Sequence, residues 1–242
     1  MSNARWQAQF NYSWPENNFR TVGWFMSKEL ANATLMALAE AHFPGQWHWN
    51  TEQDQLSLDD PGKSMYNMGW MLERNPLASG MYTAYLFDLD DTLIEGFVAP
   101  PQPYSRVQVL PGRVATLSYL MTKERRIGIV TNQGNIAFGY QTEQEALSKF
   151  REVYHVLGLD MTDHPLHFCF SDTRSKIPRY SSIEDASRRK PSGKMIREVM
   201  VKLSIENGLS VLYCGDRKED RLAAEDAGVD FIDTDVFPWL TE

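Results

Sequence analysis

From residue 83 onward, short apolar runs alternate with amphipathic stretches. TAYLFD (83–88), RIGIVT (126–131), LHFCF (166–170), SVLYCG (210–215) and VDFI (229–232) are near-continuous apolar runs. Runs of this kind mark strands covered on both faces, as in a parallel sheet. The stretches between them have helical spacing, most clearly 141–157, where Thr142 and Glu145 form a capping-box pattern and Gly158 supplies a stop. Further helices are predicted over 192–203 and 219–227, the latter ended by Gly228. The repeated strand and helix pattern predicts an α/β fold: a Rossmann-like, mostly parallel sheet with helices on both faces.

Residues 1–79 read differently. Six of the seven tryptophans fall here (Trp6, Trp14, Trp24, Trp47, Trp49 and Trp70), with a helical stretch over 27–41 and a hairpin pattern in WHWNTEQDQLSL. A small α+β accessory domain with an aromatic core accounts for them, since aromatic rings bury much area per residue. The alternative is an aromatic surface that stacks bases or grips a partner. The segment GKSMYNMGWMLERNPLASG, ending at Gly80, is the expected boundary, giving an accessory domain at 1–79 and a second domain at 80–242.

Composition narrows the class. The chain has 242 residues, 43% of them hydrophobic and 23% charged, as in ordinary globular proteins. No apolar run reaches the length of a membrane span, and MSNARWQAQF lacks the apolar centre of a signal peptide, so a cytoplasmic location is expected. Cys169 and Cys214 sit within apolar runs and read as buried, inert thiols. The histidines show no ligand spacing, so a bound metal would be held by oxygen. A net charge of -8 and a pI near 5.2 argue against a broad electrostatic grip on nucleic acid.

The chemistry concentrates in YLFDLDDTLIEG, where Asp88, Asp90 and Thr92 follow a predicted strand directly. Desolvation and mutual repulsion oppose such a cluster, so a cation or a reaction should accompany it. The second strand ends in Thr131 and is followed by Asn132, Gln133 and Gly134, a turn of the kind that exposes anion-binding N–H groups. Lys190 stands at the start of a predicted helix, where the helix dipole adds to its charge. Asp216 follows the fourth strand, and Asp220 comes four residues later. Singly, Thr131 reads as a strand terminator, Lys190 as a solvated charge and Asp216 as a turn residue. Together these strand ends bring carboxylates, a hydroxyl and a lysine to one sheet edge, where open α/β folds bind ligands.

The set DLDDT, VTNQG, RKPSGKM and GDRKEDRLAAEDAG resembles the four motifs of the haloacid dehalogenase superfamily of phosphohydrolases, in the family's order, over residues 85–237. The resemblance implies that Asp88 is the nucleophile that becomes an aspartyl-phosphate and that Asp90 is the general acid and base. Thr131 and the backbone N–H of Asn132 match the phosphate-binding position, and Lys190 matches the residue that steadies the nucleophile and the phosphoryl oxygens. Asp216 matches the Mg²⁺ ligand, joined by Asp88 and the backbone carbonyl of Asp90, with Asp220 as a supporting carboxylate. Asp91 matches no required role and is expected to cap the turn. These residue types suit the chemistry: a phosphomonoester dianion repels a carboxylate nucleophile unless a metal and a lysine neutralise charge. An acid at Asp90 resembles the phosphatases of the superfamily; its dehalogenases lack that acid and its P-type ATPases carry threonine there.

The intervals between motifs leave room for a flap, helices and a loop, but for no folded insert, so the core reads as capless. TNQGNIAFG and RKPSGKM resemble the capless, subfamily IIIA-like group of histidinol phosphate, heptose bisphosphate and polynucleotide 3'-phosphatases. Phe138 replaces that group's arginine, and the zinc loop of several bacterial members is absent. The loop 173–194 carries Arg174, Lys176, Arg179, Arg188, Arg189, Lys190 and Lys194 against Glu184 and Asp185. It reads either as a solvated charged loop or as a substrate rim for a second phosphate or a nucleic-acid backbone, beside which Tyr180 is placed to stack a base. The expected function is a Mg²⁺-dependent phosphomonoester hydrolase acting on a small phosphorylated metabolite, because the overall charge disfavours polyanions. A polynucleotide 3'-phosphatase is the second reading. A catalytically silent phosphate-binding or scaffold protein, acting through residues 1–79, is a third of another class.

Overall fold

The computed structural model describes residues 5–11, 19–42, 47–50, 55–58, 66–77, 80, 82–96 and 107–241. The chain divides into two compact units, Met1–Gly80 and Met81–Glu242.

Among the described residues of the first unit, β1 (Arg5–Asn11), β2 (Phe19–Phe25), β3 (Trp47–Asn50), β4 (Gln55–Leu58) and β5 (Tyr66–Arg74) form an antiparallel sheet in the order β2-β1-β5-β4-β3. Helix α1 (Lys28–His42) covers it, packing Ala31, Leu35 and Ala39 against Ala8 and Phe10 of β1. Trp24 is buried and Trp6 packs at the edge of this cluster. Trp14 lies outside the described residues, as do the side chains of Trp47, Trp49 and Trp70. The hairpin pattern becomes β3 and β4, with Trp47 opposite Leu58 and Asn50 opposite Gln55. The segment taken as a boundary contains β5, which pairs with both β1 and β4.

The second unit carries five parallel strands, β6 (Ala84–Phe87), β7 (Arg126–Asn132), β8 (Leu166–Cys169), β9 (Val211–Gly215) and β10 (Asp230–Asp233), in the order β10-β9-β6-β7-β8. Its helices are α2 (Arg113–Thr122), α3 (Gly134–Ala137), α4 (Glu143–Leu157), α5 (Ile183–Ala186), α6 (Lys194–Lys202) and α7 (Lys218–Ala227). Every residue of β6 is buried, so both faces of this central strand are covered. On one face Ala84 and Leu86 pack with Met195, Ile196 and Val199 of α6 and with Ala223 and Ala224 of α7. Phe87 points to the other face, where its ring lies 5.7 Å from Phe237 and 5.8 Å from Trp239. Trp239 in turn carries the Arg113 guanidinium of α2 at 3.9 Å. The expected Rossmann-like α/β architecture is therefore present. Strand order reverses between β6 and β9, and their carboxyl ends open the crevice in which such folds hold ligands. Among the described residues no helix is long and apolar enough to cross a membrane.

Candidate active site

β6 runs directly into Asp88, whose N–H donates to the Cys214 carbonyl of β9 at 2.9 Å. The chain then turns back at once. Asp91 adopts a left-handed φ of 62°, and the N–H groups of Leu93 and Ile94 both donate to the Leu89 carbonyl. Asp91 is exposed and closes the turn by accepting the Gly96 N–H at 2.9 Å. A Cβ on Gly96 would stand 2.5 Å from that carboxylate, so the closure needs glycine.

The turn aims Asp88 into the protein, where it meets Lys190. The ammonium donates to Asp88 Oδ1 at 2.5 Å, lies 2.5 Å from Asp220 Oδ1, and donates to the Tyr213 hydroxyl and the Val130 carbonyl at 3.1 Å each. The Tyr213 hydroxyl in turn donates to Asp220 Oδ1 at 2.9 Å. Asp88, Lys190 and Asp220 are all buried. Burial pushes the Asp88 carboxyl up to about 7, against the pull of Lys190 and with Asp220 and Asp90 adding to the rise. The Lys190 ammonium is held above its ordinary value, because Asp88 and Asp220 outweigh the desolvation that opposes its charge. Burial likewise raises the Tyr213 hydroxyl well above its usual range, so it stays a donor. Asp220 comes this close because Gly215 has no side chain: a Cβ there would meet Asp220 Cβ at 2.5 Å.

Lys190 does not stand at a helix N-terminus, contrary to the sequence expectation. Arg189 to Ser192 form a turn, with the Ser192 N–H donating to the Arg189 carbonyl, and α6 begins only at Lys194. The N–H of Gly193, which caps α6, is occupied by Asp226 Oδ2 at 2.6 Å. The environment of Lys190 is thus set by carboxylates rather than by a helix dipole.

The turn after β7 assigns three tasks to three residues. Thr131 is buried, and its hydroxyl accepts from Gln133 Nε2 at 2.9 Å. Asn132 clasps the lysine segment at two points: its Nδ2 donates to the Lys190 carbonyl at 3.1 Å, and its Oδ1 accepts the Lys190 N–H at 3.0 Å. Gln133 Nε2 also donates to Asp90 Oδ2 at 2.7 Å. The other oxygen of Asp90 is taken by the buried ammonium of Lys149, from the middle of α4. Asp90 is therefore held at both oxygens beside Asp88.

Carboxylate oxygens of Asp88, Asp216 and Asp220 lie within 4.8 Å of one another. These three carboxylates meet the Lys190 ammonium at Asp88 and Asp220 and the Arg217 guanidinium, at 3.4 Å, at Asp216, which leaves the cluster net negative. Asp216 Oδ1 is buried without a hydrogen-bond partner among the described residues, and burial followed by Asp220 raises its carboxyl. An all-oxygen set of this kind fits a hard cation such as Mg²⁺.

A cavity of about 540 Å³ opens above these groups, lined by Asp88, Asp90, Thr131, Asn132 and Lys190, and at its rim by Phe138, Arg174, Arg189 and Arg217. Of the basic loop, Arg174 and Arg189 reach the cavity besides Lys190. Both also engage the buried Asp172, Arg174 through two bonds of 2.9 and 2.8 Å, which hold the Asp172 carboxyl down at about 2. Arg189 Nη1 is a buried donor with no partner among the described residues, and its guanidinium lies so close to Gly134 that a Cβ there would stand 3.0 Å away. Arg179 and Arg188 do not line the cavity: they pair with Glu143 and Glu198, and the Tyr180 hydroxyl also donates to Glu143. Lys176 is exposed away from the cavity lining. Gln133, Lys149, Tyr213 and Arg217 were not singled out from the sequence. Gln133 lay within the quoted TNQ segment, whereas nothing local distinguished Lys149.

The profile of a family described as polynucleotide kinase 3 phosphatase matches residues 83–237. Among solved structures, one described as a HAD-like phosphatase from Mesorhizobium loti is 22% identical, with a TM-score of 0.53, covering 61% of this chain and 69% of that one. D,D-heptose 1,7-bisphosphate phosphatase from B. bronchiseptica, complexed with magnesium and phosphate, is 18% identical, with a TM-score of 0.49, covering 61% of this chain and 78% of that one. No curated protein sequence matches the chain.

Proposed function

The chain belongs to the polynucleotide kinase 3 phosphatase family, and on that premise we propose that it hydrolyses a terminal phosphomonoester at a polynucleotide 3' end, through a phosphoryl intermediate on Asp88 and with Mg²⁺ as cofactor. The observation that carries the reading is a buried carboxylate, Asp88, held by Lys190 and opening on a cavity far larger than a phosphate. Asp88 attacks phosphorus as the bond to the 3' oxygen breaks, and that oxygen takes a proton from Asp90. Water then attacks phosphorus, its proton passes to Asp90, and Asp88 is released as a carboxylate. One carboxyl group serving both steps must keep its orientation, which the bonds from Gln133 and Lys149 provide. Thr131 and the Asn132 N–H receive the phosphoryl oxygens, and Lys190 offsets their charge. Asp88, Asp216, Asp220 and the Asp90 carbonyl would hold the ion. When bound, it would neutralise phosphoryl charge that otherwise repels Asp88.

Of the two substrate classes expected, the polynucleotide end is favoured by the family and by the local charge of the rim. Arg174, Arg189 and Arg217 line the cavity, and Arg189 Nη1 lacks a partner among the described residues. A local basic wall can recruit a polyanion although the whole chain is acidic. Phosphate release from a 3'-phosphorylated oligonucleotide, compared with a sugar phosphate panel at matched salt, tests this. The oligonucleotide should be the better substrate, with kcat/KM falling steeply as salt rises. Preferential turnover of a sugar phosphate would contradict the reading. Asp88-dependent turnover of any phosphomonoester contradicts the scaffold alternative.

A further inference from the structure

We propose that Phe138 is a stacking platform for the nucleobase of the 3'-terminal nucleotide, with Arg174 as its cationic neighbour; the proposal rests on the polynucleotide reading above. Single exposed aromatic residues are common on protein surfaces. Phe138 is set apart by its place. It is 40% exposed and lines the same cavity as Asp88 and Lys190, where it and Pro191 are the apolar side chains among the described lining residues. Its backbone is fixed relative to the phosphate-binding turn: residues 131–133 lead straight into α3, and Phe138 caps that helix with its N–H donating to the Gly134 carbonyl at 3.3 Å. The Arg174 guanidinium carbon lies 5.6 Å from the ring centroid and is itself anchored on Asp172. Ile177, also exposed, lies beside Gly139, the residue that follows Phe138.

A phosphate occupies only part of the cavity of about 540 Å³. A sugar phosphate presents hydroxyl groups and at most a small aliphatic C–H face to the Phe138 ring, with no π face. A nucleobase presents a π face of matching size, and base stacking on an aromatic side chain tolerates any sequence. A guanidinium beside the pair adds a cation–π contribution. The ring therefore recognises that the phosphate belongs to a nucleotide, while Lys190 and Thr131 recognise the phosphate itself.

The test measures kcat/KM on 3'-phosphorylated oligonucleotides whose terminal residue either bears a base or is abasic, for the wild type, Phe138→Ala, Phe138→Leu and Phe138→Trp. The wild type should favour the base-bearing end by on the order of tenfold. The preference should fall toward one in the Ala and Leu variants and persist in the Trp variant. A wild-type ratio near one, or a preference that Phe138→Ala leaves in place, overturns the platform while the polynucleotide reading stands. Failure to turn over either oligonucleotide, with a sugar phosphate hydrolysed, overturns both. Partial misfolding lowers both rates within a variant and does not imitate a change in their ratio.

Discussion

Thr131, Asn132 and Gln133 are adjacent in sequence, yet Asn132 clasps the Lys190 backbone while Gln133 donates both to Asp90 and to the Thr131 hydroxyl. Gln133→Leu removes the donor that reaches both Asp90 and Thr131 and should lower kcat by about tenfold or more with a smaller change in KM. Lys149→Met should act in the same direction, with Lys149→Arg recovering part of the rate. Steady-state kinetics on one phosphomonoester checks both, and a change confined to KM would assign these residues to binding rather than to orientation. Tyr213→Phe leaves Asp220 and Lys190 one partner short and should cost about 1–3 kcal/mol in denaturant unfolding. That Asp88, Asp90, Thr131, Lys190, Asp216 and Asp220 converge was legible because strand ends, carboxylates and a lysine recur in a fixed order. Their supports were not: Lys149 meets Asp90 across 59 positions, and its place in α4 looks like any charge on an amphipathic helix.

α4 shows what local sequence can specify. Thr142 accepts the Glu145 N–H, Glu145 Oε2 accepts the Thr142 N–H at 2.7 Å, and Gly158 ends the helix at a φ of 68°. Thr142→Ala should lower stability by about 1 kcal/mol in a urea titration, with kcat unchanged well below the transition. The parallel strands were equally readable, because burial on both faces leaves uninterrupted apolar runs. β1, β2 and β5 were not read as strands. Val22 of β2 and Met68 of β5 are extra residues at register shifts against β1 and β4, which breaks the alternation in those two strands, whereas RWQAQFN of β1 alternates polar and apolar throughout and was legible. Part of the basic loop's charge is met from distant elements, which local sequence does not reveal. Its charges meet Glu143 of α4 and Glu198 of α6, and Glu198 also bonds His167, so much of the apparent surplus is neutralised by distant elements.

At the scale of the whole molecule, a net charge of -8 coexists with a site whose rim mixes Arg174, Arg189 and Arg217 with Asp91 and Glu219 and whose interior holds the carboxylates of Asp88, Asp90 and Asp220. The interior governs pH dependence. In the metal-free protein burial raises Asp88 to about 7, above its ordinary value near 4. The folded state therefore prefers the neutral carboxyl: this group carries no penalty below the unfolded value, and stability is lost as pH rises through about 7. The thermal midpoint of metal-free protein should fall between about pH 4 and 7 and level off above, and Mg²⁺ should raise the midpoint more at the upper end, where the carboxylates are ionised. An equal Mg²⁺ effect at both ends would contradict the site formed by Asp88, Asp216 and Asp220. The central claim is covalent catalysis by Asp88. Its most direct test mixes the protein with Mg²⁺ and a 3'-phosphorylated oligonucleotide, quenches during turnover, and locates the modified residue by mass spectrometry. A phosphoryl group on Asp88, absent from Asp88→Asn and longer-lived in Asp90→Asn, is the predicted result; turnover without an adduct, surviving in Asp88→Asn, would contradict it.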